Sequence, residues 1–163
     1  MKIAVLTDSS AYLTKEQQEK YHIDVLPIPI IWNNKTYRDL IDIGYEEFYQ
    51  KLNEEKNLPT TSQPSIGNLQ KKIDEYVQEG YTDVIVITLS SGISSYYSTV
   101  HSIAEAETRI KIHPFDSKIT CAGEADYAIL AGRLVAAGAD VDLIMHDLTD
   151  LRKQWMCALW WTI

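Results

Sequence analysis

Apolar runs alternate with amphipathic segments along the chain, and this alternation predicts strands followed by helices. Short apolar runs rich in β-branched residues, each ending in a polar group, predict buried strands at residues 2–7, 83–89 and 109–115. Segments with apolar residues three or four positions apart predict helices at residues 45–55, 67–80, 121–138 and 140–154. Strands that alternate with helices predict an α/β fold, here a three-layer sandwich with a mainly parallel sheet.

Residues 14–38 interrupt this regular alternation. Thr14 and Gln17 have the spacing of a capping box, which predicts a short polar helix. Residues 23–32 are extended in character, and their prolines predict a position at an edge or in a loosely paired strand. A turn and a short returning strand are expected after them.

Length, charge and cysteine content narrow the class of protein. A chain of 163 residues is long enough for one domain with a hydrophobic core. A net charge of −8, with scattered basic residues, excludes non-specific nucleic-acid binding. Cys121 and Cys157 form no C-x-x-C pair or disulfide framework, and no apolar stretch reaches the roughly 18 residues that span a bilayer. We therefore expect a cytoplasmic location.

Two loops concentrate hydroxyl and amide side chains without any charge. The first, PTTSQPS at residues 59–65, connects two predicted helices, and the second, LSSGISSYYST at residues 89–99, follows the central predicted strand. Ligands of open parallel sheets bind at the carboxyl ends of the strands, where the second loop falls together with TDSS and FDS. Hydroxyls and free N–H groups at helix N-termini hold a carboxylate or phosphate without a cationic side chain.

The serines in these loops also have an ordinary structural explanation. A serine at a helix start, such as Ser10, Ser65 or Ser94, is typical of an N-cap. A cap needs one hydroxyl, whereas the second loop supplies Ser90, Ser91, Ser94 and Ser95, with Gly92 to permit close backbone approach. Capping and ligand binding both stay open on this pattern.

The other candidate groups are equally open. Asp8 and Asp116 follow strands, where Asp commonly caps the next turn, and either could orient a hydroxyl of the binding loops. His101 fits a ligand or base role as well as an ordinary surface or core position. Cys121 is interpreted as a small core residue. Phosphate-loop, dinucleotide and nucleophile-elbow motifs are absent, and the histidines lack metal-site spacing, so no metal is expected.

Four motifs occur in an order that resembles the DegV family, the bacterial fatty-acid-binding proteins that serve a fatty acid kinase (FakB-type). They are VLTDSSAYL near the start, PTTSQPS near residue 60, LSSGISSYYST near residue 90 and FDS at 115–117. The resemblance covers residues 1–154 and corresponds to the N-terminal domain of the family. It implies a carrier, not an enzyme. The chain would bind a long-chain fatty acid, with no other cofactor, and present the carboxylate to an ATP-binding kinase partner.

The resemblance also assigns candidate residues. The family hydrogen-bonds the carboxylate with the Thr before SQP and with a Ser of the second loop, which are Thr61 and Ser94 here. The family usually has Gly after that Ser, whereas this chain has Ser95. The neighbouring hydroxyl groups are further candidates for binding the carboxylate: Ser62, Ser91 and Ser95. Residues at the strand ends are candidates for supporting these binding residues: Asp8, Ser9, Asp116 and Ser117.

Residues 155–163, WMCALWWTI, are apolar and have no counterpart in the family pattern. They are compatible with a buried terminal strand or helix, or with a chain cut short or read out of frame. Family chains are nearly twice this length, so the C-terminal lipid-binding domain is expected to be absent. Apolar surface exposed in this way would favour a homodimer or transient contact with a membrane surface.

Two other functions remain open on the sequence alone. The first is a small α/β hydrolase or transferase that uses a loop serine, although the nucleophile-elbow motif is missing. The second is a truncated domain that no longer binds a ligand and self-associates through its apolar tail.

Overall fold

Two β-sheets of different size organise the chain. The computed structural model describes residues 2–160, with side chains described through residue 155. The strands are β1 Ile3–Asp8, β2 Ile23–Leu26, β3 Pro29–Trp32, β4 Lys35–Arg38, β5 Thr60–Thr61, β6 Asp83–Thr88 and β7 Lys111–Asp116. The helices are α1 Lys15–Tyr21, α2 Tyr45–Glu54, α3 Ile66–Gln78, α4 Tyr96–Ala106, α5 Ala122–Ala136 and α6 Val141–Trp160, with a 3₁₀ turn at Ser9–Ala11.

The larger sheet has the strand order β2-β1-β6-β7, and every neighbouring pair is parallel. All six residues of β1 and of β6 are buried, which explains their nearly continuous apolar runs. The carboxyl ends meet at one edge, where Asp8 lies opposite Leu26 and Thr88 lies opposite Asp116. This edge, here called the carboxyl edge, brings the TDSS, LSSG and FDS segments together as the sequence predicts.

Helices cover both faces of the larger sheet. Ile3 and Val5 of β1 belong to a core cluster with side chains of α5 and α6. Ala4 and Leu6 point to the other face and belong to a cluster with α3 and α4. Burial of each large apolar side chain contributes about 1.5–3 kcal/mol, so both helical layers are held by the sheet. The predicted three-layer α/β sandwich is confirmed.

A smaller antiparallel sheet has the order β4-β3-β5, and the sequence did not predict it as a unit. Residues 59–65 connect α2 and α3 as predicted, but the sequence did not predict that Thr60 and Thr61 form β5 within this connection and pair with β3. Ile30 and Trp32 of β3 pack with Ile43 in a separate small core against α2.

The local signals for helix ends are also confirmed. In α1, the Thr14 hydroxyl accepts from the Gln17 N–H at 3.1 Å, and the Gln17 side chain accepts from the Thr14 N–H at 2.9 Å. This reciprocal arrangement is the predicted capping box. In α3, the Ser65 hydroxyl accepts from the Asn68 N–H at 3.1 Å, so Ser65 is an N-cap as expected.

The last helix, α6, continues into the apolar segment at residues 155–163. Trp155 packs against the core cluster shared by α5 and α6. The side chains of residues 156–163 lie outside the described part of the chain, so the expectations for this apolar segment stay predictions. None of the helices within residues 2–160 combines the length and apolar character needed to cross a membrane.

Candidate ligand-binding cleft

A cleft of about 280 Å³ opens at the carboxyl edge of the larger sheet. One side, called the sheet wall, is formed by Ser10, Leu89, Thr120 and Cys121. The opposite side, called the aromatic wall, belongs to the smaller sheet and α2 and is formed by Ile28, Ile30, Tyr45, Phe48, Tyr49 and Thr61. Tyr12, Asp39 and Leu40 complete the lining and also border a second cavity of about 310 Å³. The two walls give the cleft a largely apolar surface with hydroxyl groups at its margin.

Thr61 lies in the aromatic wall. It pairs with Ile30 on β3, and both residues line the cleft. Thr60 pairs with the exposed Ile31 and points to the other face, because adjacent residues of a strand alternate. The Ser62 N–H donates to the Pro29 carbonyl at 3.2 Å. The pairing with β3 therefore directs the Thr61 side chain, and not that of Thr60, toward the cleft.

Gln63 joins the two hydroxyl-rich loops. Its side-chain oxygen accepts from the Ser95 hydroxyl at 3.1 Å and from the Thr99 hydroxyl at 3.2 Å. Ser95 occupies the N-cap position of α4 but makes no capping hydrogen bond. The Ser94 hydroxyl accepts from the Tyr96 N–H at 3.1 Å, and Ser94 is not among the residues that line the cleft. The two loops are therefore adjacent in the fold.

Ser91 belongs to a small charged group. The Lys118 ammonium lies 2.8 Å from the Ser91 hydroxyl and 2.7 Å from the Asp116 carboxylate. Burial alone would raise the pKa of Asp116, but hydrogen bonds from Lys118 and Ser91 outweigh it and lower that pKa. The Lys118 ammonium has donors and no acceptor, so it donates to Ser91 and is unable to remove its proton. This arrangement fixes the loop and does not activate Ser91 as a nucleophile.

Ser9 and Ser117, two of the supporting candidates, are buried and bonded within the protein. The Ser9 hydroxyl donates to the Asp39 carboxylate at 2.7 Å and accepts from the Ile28 N–H at 2.9 Å. It therefore ties the end of β1 to the segment that leads into the smaller sheet. The Ser117 hydroxyl donates to the Ile119 carbonyl at 2.9 Å, which stabilises the turn after β7.

Asp8 and Glu124 form a buried carboxyl pair behind the sheet wall. Asp8 accepts from the N–H groups of Ser10 at 3.0 Å and Leu89 at 3.1 Å. Burial raises the pKa of Asp8 despite these hydrogen bonds. Glu124 is also fully buried, and burial together with the Asp8 charge raises its pKa to about 9. Glu124 therefore carries a proton at neutral pH.

Glu124 is the functional candidate that the sequence reasoning missed. A signal was present, because Glu124 lies three, four and seven positions before Tyr127, Ala128 and Ala131, which are all fully buried. That spacing places Glu124 on the apolar face of α5. A carboxyl group on such a face needs hydrogen-bonding partners, and the partners come from β1 and the turn after it.

One expectation about a single residue is wrong, and one alternative left open by the sequence is decided. Cys121 is exposed and precedes α5 with a φ of 57°, so its interpretation as a core residue is wrong. Its N–H donates to the Ser10 carbonyl at 3.0 Å, which turns the residue into the sheet wall. His101 is exposed on α4 and lies 3.8 Å from Glu105, and it does not line the cleft. Within residues 2–160, no cluster of His, Cys, Asp or Glu could hold a metal ion.

The fold and the cleft define an α/β domain with a candidate ligand site at the carboxyl ends of a parallel sheet. A family profile described as "Uncharacterised protein, DegV family" matches residues 2–160. The chain belongs to the DegV family.

Individual relatives agree with this assignment. Protein DegV of Bacillus subtilis (strain 168) is 38% identical over 154 residues, which are 94% of this chain and 54% of that relative. A DegV domain-containing protein of Staphylococcus aureus (strain N315) is 39% identical over the same shares of both chains. The chain spans about half the length of the curated relatives it matches.

Solved structures show the same architecture. The crystal structure of B. subtilis DegV, described as a fatty acid binding protein, superposes with a TM-score of 0.89 at 37% identity, covering 94% of this chain and 54% of that one. A fatty acid binding DegV family protein of Streptococcus agalactiae gives a TM-score of 0.85 at 33% identity, with the same coverage. The structures named here belong to proteins described as fatty acid binding.

Proposed function

We propose that this chain binds a long-chain fatty acid in the cleft between the sheet wall and the aromatic wall. The observation that carries the proposal is the lining itself, which combines a largely apolar surface with the Thr61 hydroxyl at its margin. An acyl chain gains free energy from contact with apolar walls, in proportion to the area that it removes from water. The fatty-acid-binding descriptions of the structural relatives support the same ligand class.

In this proposal neutral hydroxyl groups receive the carboxylate. Thr61 is the first donor because it lies in the cleft, and Ser94 is the second candidate, in the loop that Gln63 holds beside it. Ser62, Ser91 and Ser95 are further hydroxyls of the same two loops. Hydrogen bonds to a charged acceptor contribute about 1.5–3 kcal/mol each, so two or three of them hold a carboxylate without an ion pair.

The proposal continues to a partner. A fatty acid kinase would phosphorylate the bound carboxylate with ATP, and the chain would serve as its carrier in the cytoplasm. The exposure of Thr61 and Ser95 supports this step, because a carboxylate held there stays open to a second protein. The Lys118 ammonium, which donates to both Ser91 and Asp116, further supports a carrier over a hydrolase that uses that serine.

Lipid extraction from the purified chain, followed by mass spectrometry, is the first test. We expect about one fatty acid per chain, because an apolar cleft retains a poorly soluble ligand through purification. A chain that is empty and takes up no added fatty acid would contradict the proposal. That outcome, together with self-association, would favour the domain that no longer binds a ligand.

Substitution of Thr61 tests the carboxylate site. Thr61→Val keeps the shape of the side chain and removes the hydroxyl, so fatty-acid affinity should fall about 10- to 100-fold. Thr60→Val is the matched control, because Thr60 is the adjacent strand residue on the opposite face. Affinities come from titration with a fluorescent fatty acid and its competition by an unlabelled one. Equal affinities for the two variants would overturn the role of Thr61.

A further inference from the structure

The Ser10 hydroxyl lies between two carboxyl groups. Its oxygen is 2.6 Å from Oδ1 of Asp8 and 2.6 Å from Oε2 of Glu124. A serine hydroxyl has one hydrogen to donate, so it serves as the donor in only one of these two contacts. The other contact needs a hydrogen from the carboxyl side. The geometry therefore requires one proton on the pair of carboxyl groups.

The remaining contacts decide which carboxyl group holds that proton. Asp8 accepts two backbone N–H groups, and such bonds favour the charged form of a carboxyl group. Glu124 accepts one hydroxyl, from Thr7 at 3.1 Å on Oε1, and its Oε2 faces Ser10. Glu124 is therefore the acid, and the hydrogen bonds run from Glu124 to Ser10 and from Ser10 to Asp8. We call this arrangement the relay.

The relay touches the cleft at three points. Ser10 itself lines the cleft, and its carbonyl accepts from the N–H of Cys121, another lining residue. At the other end of the relay, Asp8 accepts from the N–H of Leu89, a third lining residue. Three of the four residues of the sheet wall are thus fixed directly by the relay.

Few other charged groups act on the relay. Among the described residues, the charge that reaches Glu124 from a neighbouring element is that of Asp8 on β1, while Thr7 and Ser10 contribute neutral hydroxyls. Tyr96 of α4 lies within reach of the Asp8 charge. A negative charge on Glu124 would therefore meet the charge of Asp8 in a buried site.

We propose that protonated Glu124 is a positioning residue for fatty-acid binding, which holds the sheet wall in place through Ser10 and Asp8 without touching the ligand. This inference rests on the proposed function. Loss of the proton would replace the Glu124 to Ser10 hydrogen bond by repulsion between buried carboxylates, and the sheet wall would shift. Fatty-acid affinity should then decrease at alkaline pH.

Glu124→Ala and Glu124→Gln test the role of the side chain. The alanine variant lacks the relay and should bind a fluorescent fatty acid at least about 10-fold more weakly at about pH 7. The glutamine amide can accept from Thr7 and donate to Ser10, so Glu124→Gln should restore the affinity that the alanine variant loses. Glu105→Gln, at an exposed position on α4, is the control for loss of an acidic group.

The pH profile separates positioning from a merely structural role. Between about pH 7 and about pH 10 the original chain should lose about 10-fold or more in affinity, whereas Glu124→Gln should lose much less. Cys121→Ser, measured in both backgrounds, is the control for the thiol group that lines the cleft. Parallel profiles for the original chain and the Glu124→Gln variant would overturn the proposal.

A second measurement tests whether Glu124 is protonated, and it does not depend on ligand binding. Infrared spectra at neutral pH should show a carboxylic-acid C=O band that disappears in Glu124→Gln. Absence of this band from the original chain would overturn the relay even if fatty acid binds. A chain that shows the band but binds no fatty acid at any pH would overturn the proposed function and, with it, the positioning role.

Discussion

The two walls of the cleft are held in different ways. The sheet wall rests on the centre of the parallel sheet, where β1 and β6 are buried along their whole length, and the relay fixes it from behind. The aromatic wall rests on a small core of three buried residues, Ile30, Trp32 and Ile43. Its Tyr45 and Tyr49 are largely exposed. One wall is continuous with the main core, and the other is a thin layer beside it.

This difference teaches where the cleft can adjust. Local stability follows the number of buried apolar contacts, so segments with small cores open at lower free energy than the centre of a domain. We expect the aromatic wall to move when a ligand enters and the sheet wall to keep its geometry. Ser9 is one connection between the two regions, because its hydroxyl contacts both Asp39 and the Ile28 N–H.

The largest predicted effect is the loss of stability on alanine substitution of three isoleucines that differ in burial. Ile85→Ala, in the centre of β6, should lower the free energy of unfolding by about 3–4 kcal/mol, since it leaves a cavity in a fully enclosed core. Ile30→Ala, in the aromatic wall, should cost about 2 kcal/mol because the small core can collapse around it. Ile31→Ala, on the exposed face of the same strand, should cost about 1 kcal/mol or less.

Urea denaturation of the three variants measures this series. The ranking Ile85, Ile30, Ile31 is the test of the comparison between the walls. If Ile30→Ala were as costly as Ile85→Ala, the smaller sheet would be as firmly held as the larger one, and the expected adjustment of the aromatic wall would have no basis.

The next predicted effect is a change with pH in the contribution of Glu124, through the relay, to the free energy of unfolding. The pKa of Glu124 is about 9 in the folded protein, against an ordinary value of 4.5. Between these pH values the folded protein keeps a proton that the unfolded chain releases. The stabilising contribution is complete below pH 4.5 and is lost progressively as the pH rises to about 9.

Denaturation of the original chain and of Glu124→Gln across this interval isolates that contribution. The glutamine side chain does not titrate, and the two chains share all other titratable groups. The stability of the original chain relative to Glu124→Gln should therefore decrease steadily as the pH rises from about 5 to about 9. A constant difference would show that Glu124 is ionised in the folded protein, against the assigned direction of the relay.

Much of the larger sheet, which supports the sheet wall, could be predicted from the sequence. The apolar runs of β1 and β6 are buried strands, and helices cover both faces, because parallel strands need both faces covered. The meeting of the loops at the carboxyl edge could also be predicted, because parallel strands all end at the same side of the sheet. Short-range signals also held for helix starts, as Thr14 and Ser65 show.

The aromatic wall and the relay could not be predicted in the same way. β5 has two residues, so no alternating pattern can reveal it, and its pairing with β3 depends on a contact distant in sequence. The partners of Glu124 lie more than 100 positions earlier in the chain. The positive φ of Cys121 belongs to the turn that Ser10 holds, so the composition of the helix that follows does not indicate it.

The smallest predicted effect is a difference in stability between two serine substitutions, one in each hydroxyl-rich loop. Ser65 caps α3, so Ser65→Ala should lower the free energy of unfolding by about 1 kcal/mol. Ser95 stands at the same position of α4 without a capping bond, and its hydroxyl contacts the Gln63 side chain at an exposed site.

Ser95→Ala should therefore change stability by less than about 0.5 kcal/mol. If Ser95 instead serves the carboxylate, the same variant should weaken fatty-acid binding while Ser65→Ala leaves it unchanged. Equal losses of stability for the two variants would mean that both loops are ordinary helix caps. A stability loss confined to Ser65 and an affinity loss confined to Ser95 would show that two loops of similar composition have different tasks.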